Sequence, residues 1–346
     1  MLEPPGIPTA HLIAHLHDTY GLRAAQLDFL PLGADVNSAV YRAAADDGRA
    51  YFLKLRRGPL DELSVRIPAF LAEQGVEHII PPLRAAGGGL WTALEPFTVT
   101  LYPFVAGADG YEVTLSERQW VELGATLQRI HAAPLPADLR RALPRESFSP
   151  QWREQVRGYM ALVGETYDDP IAAELAAFLR ANADTVRELV ETAEQLAHGS
   201  KKSSADFADY ADFVGDMTRE WVLCHADIHN GNVLIGQDGT LYVVDWDTAL
   251  LAPKERDLMF VGAGNLGRNQ PEERDWFYRG YGATAVDPAA LTYYRCERIV
   301  QDIAAFCEQI LATTGPTPDR AQALRWLKSQ FEPHCEVEIA LLGARF

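Results

Sequence analysis

In the first hundred positions, apolar residues recur at every second place, in short bursts broken by turn chemistry. QLDFLPL (26–32), SAVYRAAA (38–45) and RAYFLKL (49–55) are such bursts, separated by GADVN and DDG. Alternation bounded by Gly, Asn and Asp predicts successive strands. After the glycine run 87–89, GGGLWTALE and FTVTLYPF predict two more. Between them, LDELSVRIPAFLAEQG (60–75) changes period: Leu63, Ile67, Phe70 and Leu71 share a helical face. Pro68 puts a kink or a fresh start inside that helix. The front of the chain therefore reads as a small sheet carrying one helix.

From about residue 115 the helical period takes over. Trp120, Leu123, Leu127 and Ile130 recur behind Ser116, a residue suited to cap a helix N-terminus. Further helices are expected over about 150–163, 170–198, 270–280, 288–312 and 318–332. The exception is WVLCHADIHNGNVLIGQDGTLYVVDWD (221–247), which reads as strand, loop, strand, turn, strand, with QDG as the hairpin turn. The polar segment HGSKKSSADFADYADFVGD (198–216) reads as a loop or lid. A β-rich front, a helical back and a hairpin inside the helical part predict an α+β chain of two lobes with a cleft between them.

Composition narrows the partners. Of 346 residues, 48% are hydrophobic, enough for a real core, and 31 Lys and Arg face 48 Asp and Glu, a formal charge of −17. Phosphate-backbone and anionic-membrane surfaces are cationic, so nucleic acid and membrane are not expected partners. A cationic small molecule suits this charge. Cys224, Cys296, Cys307 and Cys335 have no metal-finger spacing and read as reduced thiols. No secretory signal and no run of about 18 apolar residues is visible. The expectation is a soluble cytoplasmic protein, monomeric or homodimeric.

The chemistry concentrates in HADIHNGNVL (225–234) and YVVDWD (242–247). Moving a nucleotide's terminal phosphoryl group to a hydroxyl requires positioning and charge neutralisation more than covalent help. A carboxylate must face the incoming hydroxyl, hard oxygen ligands must hold a divalent metal, and a cation must hold the phosphates. HxDxxxxN supplies Asp227 as base and Asn232 as metal ligand, and Asp245 supplies the metal carboxylate. Lys54 lies in RAYFLKL, on the face of Phe52 and opposite Tyr51, Leu53 and Leu55. A lysine in an apolar strand calls for an anionic partner.

On these motifs, the front strands and the linker LYPFVAG, the chain resembles the aminoglycoside phosphotransferases and related small-molecule kinases, whose fold is similar to that of protein kinases. FLAEQGVEHIIPP, LCHADIHNGNVL and VDWDTALLAPKERDLMF look most like the spectinomycin phosphotransferases. The resemblance implies a nucleotide-binding lobe over 1–105 ending in a hinge, and a helical lobe over 106–346 with the catalytic loop and substrate pocket. It implies ATP (or GTP) and Mg2+ as cofactors, and Asp227 as catalytic base. Asn232 and Asp245 would hold the metal, and Lys54 the phosphates. The backbone of Tyr102, Pro103, Phe104 and Val105 would meet the adenine edge. His225 and Asp257 would support the catalytic loop.

Three features depart from the kinase pattern. GADVNSAVY is not a GxGxxG loop, so phosphate grip falls to Asn37, Ser38 and backbone amides. DFG is replaced by DWD, with Trp246 as packing. Glu62, with Glu73 second, is the candidate partner of Lys54. Possible substrate contacts are His229, Asp247, Glu297 and Asp302. His11 and His15 read as an ordinary surface helix, and Trp276 and Tyr278 as core aromatics. Kinases of choline, homoserine or a methylthiosugar are the alternative reading. Remoter ones are a non-catalytic nucleotide-binding scaffold and a metal-dependent hydrolase built on His225, Asp227, His229 and Asp245.

Overall fold

The computed structural model describes residues 4–31, 37–208, 221–267, 270–312, 314–315 and 317–343, with side chains described outside 198–208. Contacts divide the chain into two compact units. One joins Met1–Pro144 to His225–Ala249, and the other joins Arg145–Cys224 to Leu250–Phe346.

The first unit opens with helix α1 (Thr9–Tyr20), ended by Gly21 at φ 65°, a left-handed turn that glycine takes without strain. Strands β1 (Ala24–Leu30), β2 (Ser38–Ala45) and β3 (Ala50–Arg57) follow, then α2 (Leu63–Glu73), β4 (Thr92–Leu94) and β5 (Phe97–Pro103). The antiparallel sheet runs β1-β2-β3-β5-β4. Its two faces follow from the alternation. Ala39, Tyr41, Ala43, Tyr51, Leu53, Leu55, Phe97, Val99 and Leu101 form one buried cluster with Leu12 and Leu16 of α1. The opposite face carries Val40, Lys54 and Thr100 in one cross-strand row and Ser38, Arg56 and Thr98 in the next.

Strand β6 (Gly107–Asp109) and helices α3 (Glu117–His131) and α4 (Ala137–Ala142) complete the first stretch of this unit. Ser116 caps α3 in a reciprocal pair with Gln119. After β7 (Trp221–Cys224) of the other unit, the chain returns with β8 (Val233–Gly236) and β9 (Leu241–Val243), and β6, β8 and β9 make a three-stranded sheet. Gly107 is obligatory here, since a Cβ would lie 2.0 Å from the Ile235 carbonyl oxygen. The segment after α2 is stitched to β9 by Val243 N–H donating to the His78 carbonyl at 2.9 Å.

The second unit is helical around α10. It holds α5 (Gln151–Leu162), α6 (Pro170–Ala181), α7 (Ala183–Ala208), the ribbon of β7 with β10 (Leu250–Pro253), α8 (Glu255–Leu258), α9 (Pro271–Tyr281), α10 (Pro288–Leu311), α11 (Pro318–Ser329) and α12 (Glu336–Gly343). α5, α7, α8, α11 and α12 all pack on α10. Asp169 caps α6 and takes the fork of buried Arg320 at 2.8 and 2.9 Å. Those hydrogen bonds hold the Asp169 carboxyl well below the usual range. The helix expected over 170–198 is two helices, ended and restarted at Asn182. The loop expected over 198–216 is corrected in its first part, because α7 continues to Ala208. Its remainder lies outside the described residues. No helix among the described residues is long and apolar enough to cross a membrane.

Candidate active site

The first unit brings β3 and the segment after β9 together. Lys54 sits on the polar face of β3, its side chain 22% exposed, with Nζ 3.2 Å from Asp245 Oδ1 and 3.2 Å from Asp247 Oδ2. Burial works to lower the lysine pKa, but the two carboxylates outweigh it and raise it, holding the ammonium charged. Past the end of β9 at Val243, Asp245 and Asp247 both turn to Lys54, while Trp246 between them is buried. Asp245 has φ 66°, a left-handed conformation that Asp and Asn tolerate better than most residues.

The loop from His225 to Asn232 is held by its own backbone. The His225 ring is fully buried and meets Trp246 edge-on at 4.7 Å. Its Nδ1 accepts the Asp227 N–H at 3.3 Å, and Nε2 donates to the Val244 carbonyl at 3.0 Å. Thr248 Oγ1 donates to the His225 carbonyl at 2.9 Å. His225 thereby ties the loop to the strand leading to Asp245. With both nitrogens engaged by the backbone, it offers no lone pair to a metal, which removes a ligand from the hydrolase alternative.

Asn232 Nδ2 donates to the Asp227 carbonyl at 2.8 Å and lies 3.3 Å from Asp227 Oδ2. Its amide oxygen therefore faces away from those donations. Val244 N–H donates to the Asn232 carbonyl at 3.0 Å, linking this turn to the residue before Asp245. His229 accepts the Gly231 N–H on Nδ1 at 3.0 Å, which leaves the proton on Nε2, 3.6 Å from Asp227 Oδ2. The Tyr111 ring stands 6.1 Å from the His229 ring. The Asp245 carboxylate, 49% exposed, and the Asn232 amide oxygen are hard oxygen donors of the kind magnesium takes. The residues fit such an ion.

Other sequence candidates fall at various distances from this centre. Ser38 is buried and directly opposite Arg56 in the β2–β3 ladder, and Asn37 accepts the Arg57 N–H on its carbonyl at 2.8 Å. The rest of the GADVN turn, 32–36, lies outside the described residues. Tyr102 ends the row of Phe52, their rings 6.4 Å apart. Pro103 has no amide hydrogen, and Phe104 gives its own to the Ala50 carbonyl at 3.2 Å.

Glu62 requires a correction as the partner of Lys54. It is exposed at the start of α2, while Lys54 is paired with Asp245 and Asp247. Glu73 pairs with Arg84 at 2.9 Å. α2 turns an apolar face inward, so neither glutamate is carried to the lysine. Sequence reasoning missed Arg56, whose Nη1 lies 2.9 Å from Asp247 Oδ2. The alternation that exposed Lys54 could have found it two residues later.

Asp257, Glu297 and Asp302 belong to the second unit. Asp257 is buried in α8. Asp302 pairs with Arg298 at 3.0 Å and accepts from Gln330 at 2.7 Å. Glu297 pairs with Arg153, itself 2% exposed. Burial pushes the Glu297 carboxyl up to about 7, against the pull of Arg153. A carboxyl raised on folding stabilises fully below its unfolded pKa, and that contribution is lost as pH rises through the folded value. Stability should therefore fall between about pH 4.5 and 7 by this group's share. Glu297→Gln should flatten that part of the curve in urea melts run across pH; an unchanged slope would show that Glu297 does not titrate there.

Comparison with known proteins follows the same outline. The model of the phosphotransferase enzyme family matches residues 28–294. Spectinomycin phosphotransferase APH(9)-Ia, solved in complex with ADP and spectinomycin, is 36% identical, covering 99% of this chain and 100% of that one, with a TM-score of 0.88. Its AMP-bound complex gives 35% identity, coverage of 96% and 98%, and a TM-score of 0.83. Protein StrN of Streptomyces griseus is 25% identical over 258 residues, 71% of this chain and 73% of its own. With an antiparallel sheet, a helical region and a family match over most of its length, this chain belongs to the phosphotransferase enzyme family and is a small-molecule kinase.

Proposed function

We propose that the protein transfers the γ-phosphoryl group of ATP, with magnesium, to a hydroxyl of a small, polar, cationic acceptor, an aminocyclitol of the spectinomycin kind. The observation that carries this reading is the meeting of Lys54 with Asp245 and Asp247, on a segment hydrogen-bonded to the loop of Asp227 and Asn232. The match to a spectinomycin phosphotransferase over its whole length supports the acceptor class. The charge of −17 suits a cationic one. In this reading residues 1–105 bind nucleotide, 106–346 carry the acceptor, and the enzyme works in the cytoplasm as an antibiotic-resistance factor.

The chain's own residues divide the work. Lys54 holds the phosphates that stay behind, with Asn37 and Ser38 beside them, and Val105 orients the base. Asp227 faces the acceptor hydroxyl and takes its proton as the oxygen attacks the γ-phosphorus, whose bond to the bridging oxygen breaks so that ADP leaves. Asn232 fixes the Asp227 carboxylate through Nδ2. Asn232 and Asp245 would hold magnesium, which supplies charge neutralisation for the phosphoryl oxygens.

A coupled ADP-release assay with spectinomycin, other aminoglycosides and choline side by side tests the reading. Magnesium-dependent release stimulated by spectinomycin is the expected result. Stimulation by choline alone would make the enzyme a metabolite kinase, and no stimulation by any acceptor would overturn the substrate class.

A further inference from the structure

Lys54 is not the sole cation at this centre. Arg56 lies two residues on along β3, on the same face, and its guanidinium reaches Asp247 Oδ2 at 2.9 Å. Lys54 Nζ reaches the same oxygen at 3.2 Å. One carboxylate oxygen thus sits where two cations converge, the geometry in which an anionic phosphate oxygen is held. We infer that Arg56 is a second phosphate-binding residue, gripping the phosphates beyond the first, and that Asp247 occupies their seat until the nucleotide arrives. This inference rests on the phosphotransferase reading.

Register supports it. Across the β2–β3 ladder Arg56 faces Ser38, where Lys54 faces Val40. Arg56 is therefore the nearer of the two to the start of β2. The sequence GADVN lacks GxGxxG glycines, and a guanidinium fork matches phosphate oxygens in its own right.

The test is nucleotide binding by calorimetry without acceptor, so that it does not depend on which hydroxyl is phosphorylated. Arg56→Ala should weaken ADP about 10–100-fold, the worth of a hydrogen bond to a charged group, and leave adenosine affinity unchanged. Arg56→Lys, which keeps the charge but loses the fork, should fall between. Asp247→Asn, measured without magnesium, should bind ADP more tightly, because the competing anion is gone. Equal weakening of ADP and adenosine in Arg56→Ala would mean a structural role and overturn the proposal. So would unchanged ADP affinity in both Arg56 variants, or weaker metal-free ADP binding in Asp247→Asn. If the wild-type protein bound neither ADP nor adenosine, the nucleotide reading itself would fall and take the Arg56 role with it.

Discussion

Asp227→Ala should lower turnover roughly 10²–10⁴-fold, the usual worth of a positioned proton acceptor, with little change in nucleotide affinity or folding. The structure says why the loss should be confined to chemistry. The loop around Asp227 is held by main-chain partners that alanine keeps: its N–H on His225 Nδ1 and its carbonyl on Asn232 Nδ2. What disappears is the carboxylate, approached by Asn232 Nδ2 at 3.3 Å and His229 Nε2 at 3.6 Å. Steady-state kinetics with a thermal melt on the same preparation separates the two effects. A variant that melts like the wild type and keeps full turnover would remove Asp227 from the role of base.

What could be read in the sequence depended on how far apart the partners lie. The alternation of RAYFLKL fixed the polar face of β3, since a strand's period is local, and Lys54 lies on that face in the structure. Its counter-ions come 191 and 193 residues later, and no local rule selects Asp247 over Glu62. Glu62 was attractive only because a helix follows the strand. α2 begins one residue after it and buries Leu63, Val65, Ile67 and Leu71, leaving the glutamate outside. Arg56 lies just past the RAYFLKL burst, and its meaning comes from Asp247, 191 residues later. The short elements β6, β10 and α8 give too few residues for a period to show. The polar stretch entering α7 has no proline or turn pair to stop the helix, so composition alone misread its first half.

Asp245→Asn should cost activity on the order of 10²–10³-fold, the powers of ten contained in several kcal/mol of charge stabilisation. Asparagine is the informative substitution because Asp245 stands at φ 66°, where Asn is tolerated and alanine would add strain. The side chain is 49% exposed, so losing its pairing with Lys54 should change stability by less than about 1 kcal/mol. Lys54 keeps Asp247 as a counter-ion at 3.2 Å, and the backbone link from Val244 to Asn232 does not involve the carboxylate. The deficit should therefore appear in metal use: half-maximal activity should move to higher magnesium, and part of the lost rate should return as magnesium is raised. Titrating magnesium at saturating nucleotide for both proteins reads this directly. If Asp245→Asn gave the wild-type magnesium curve, the metal carboxylate would have to be sought elsewhere, with Asp247 the next to test.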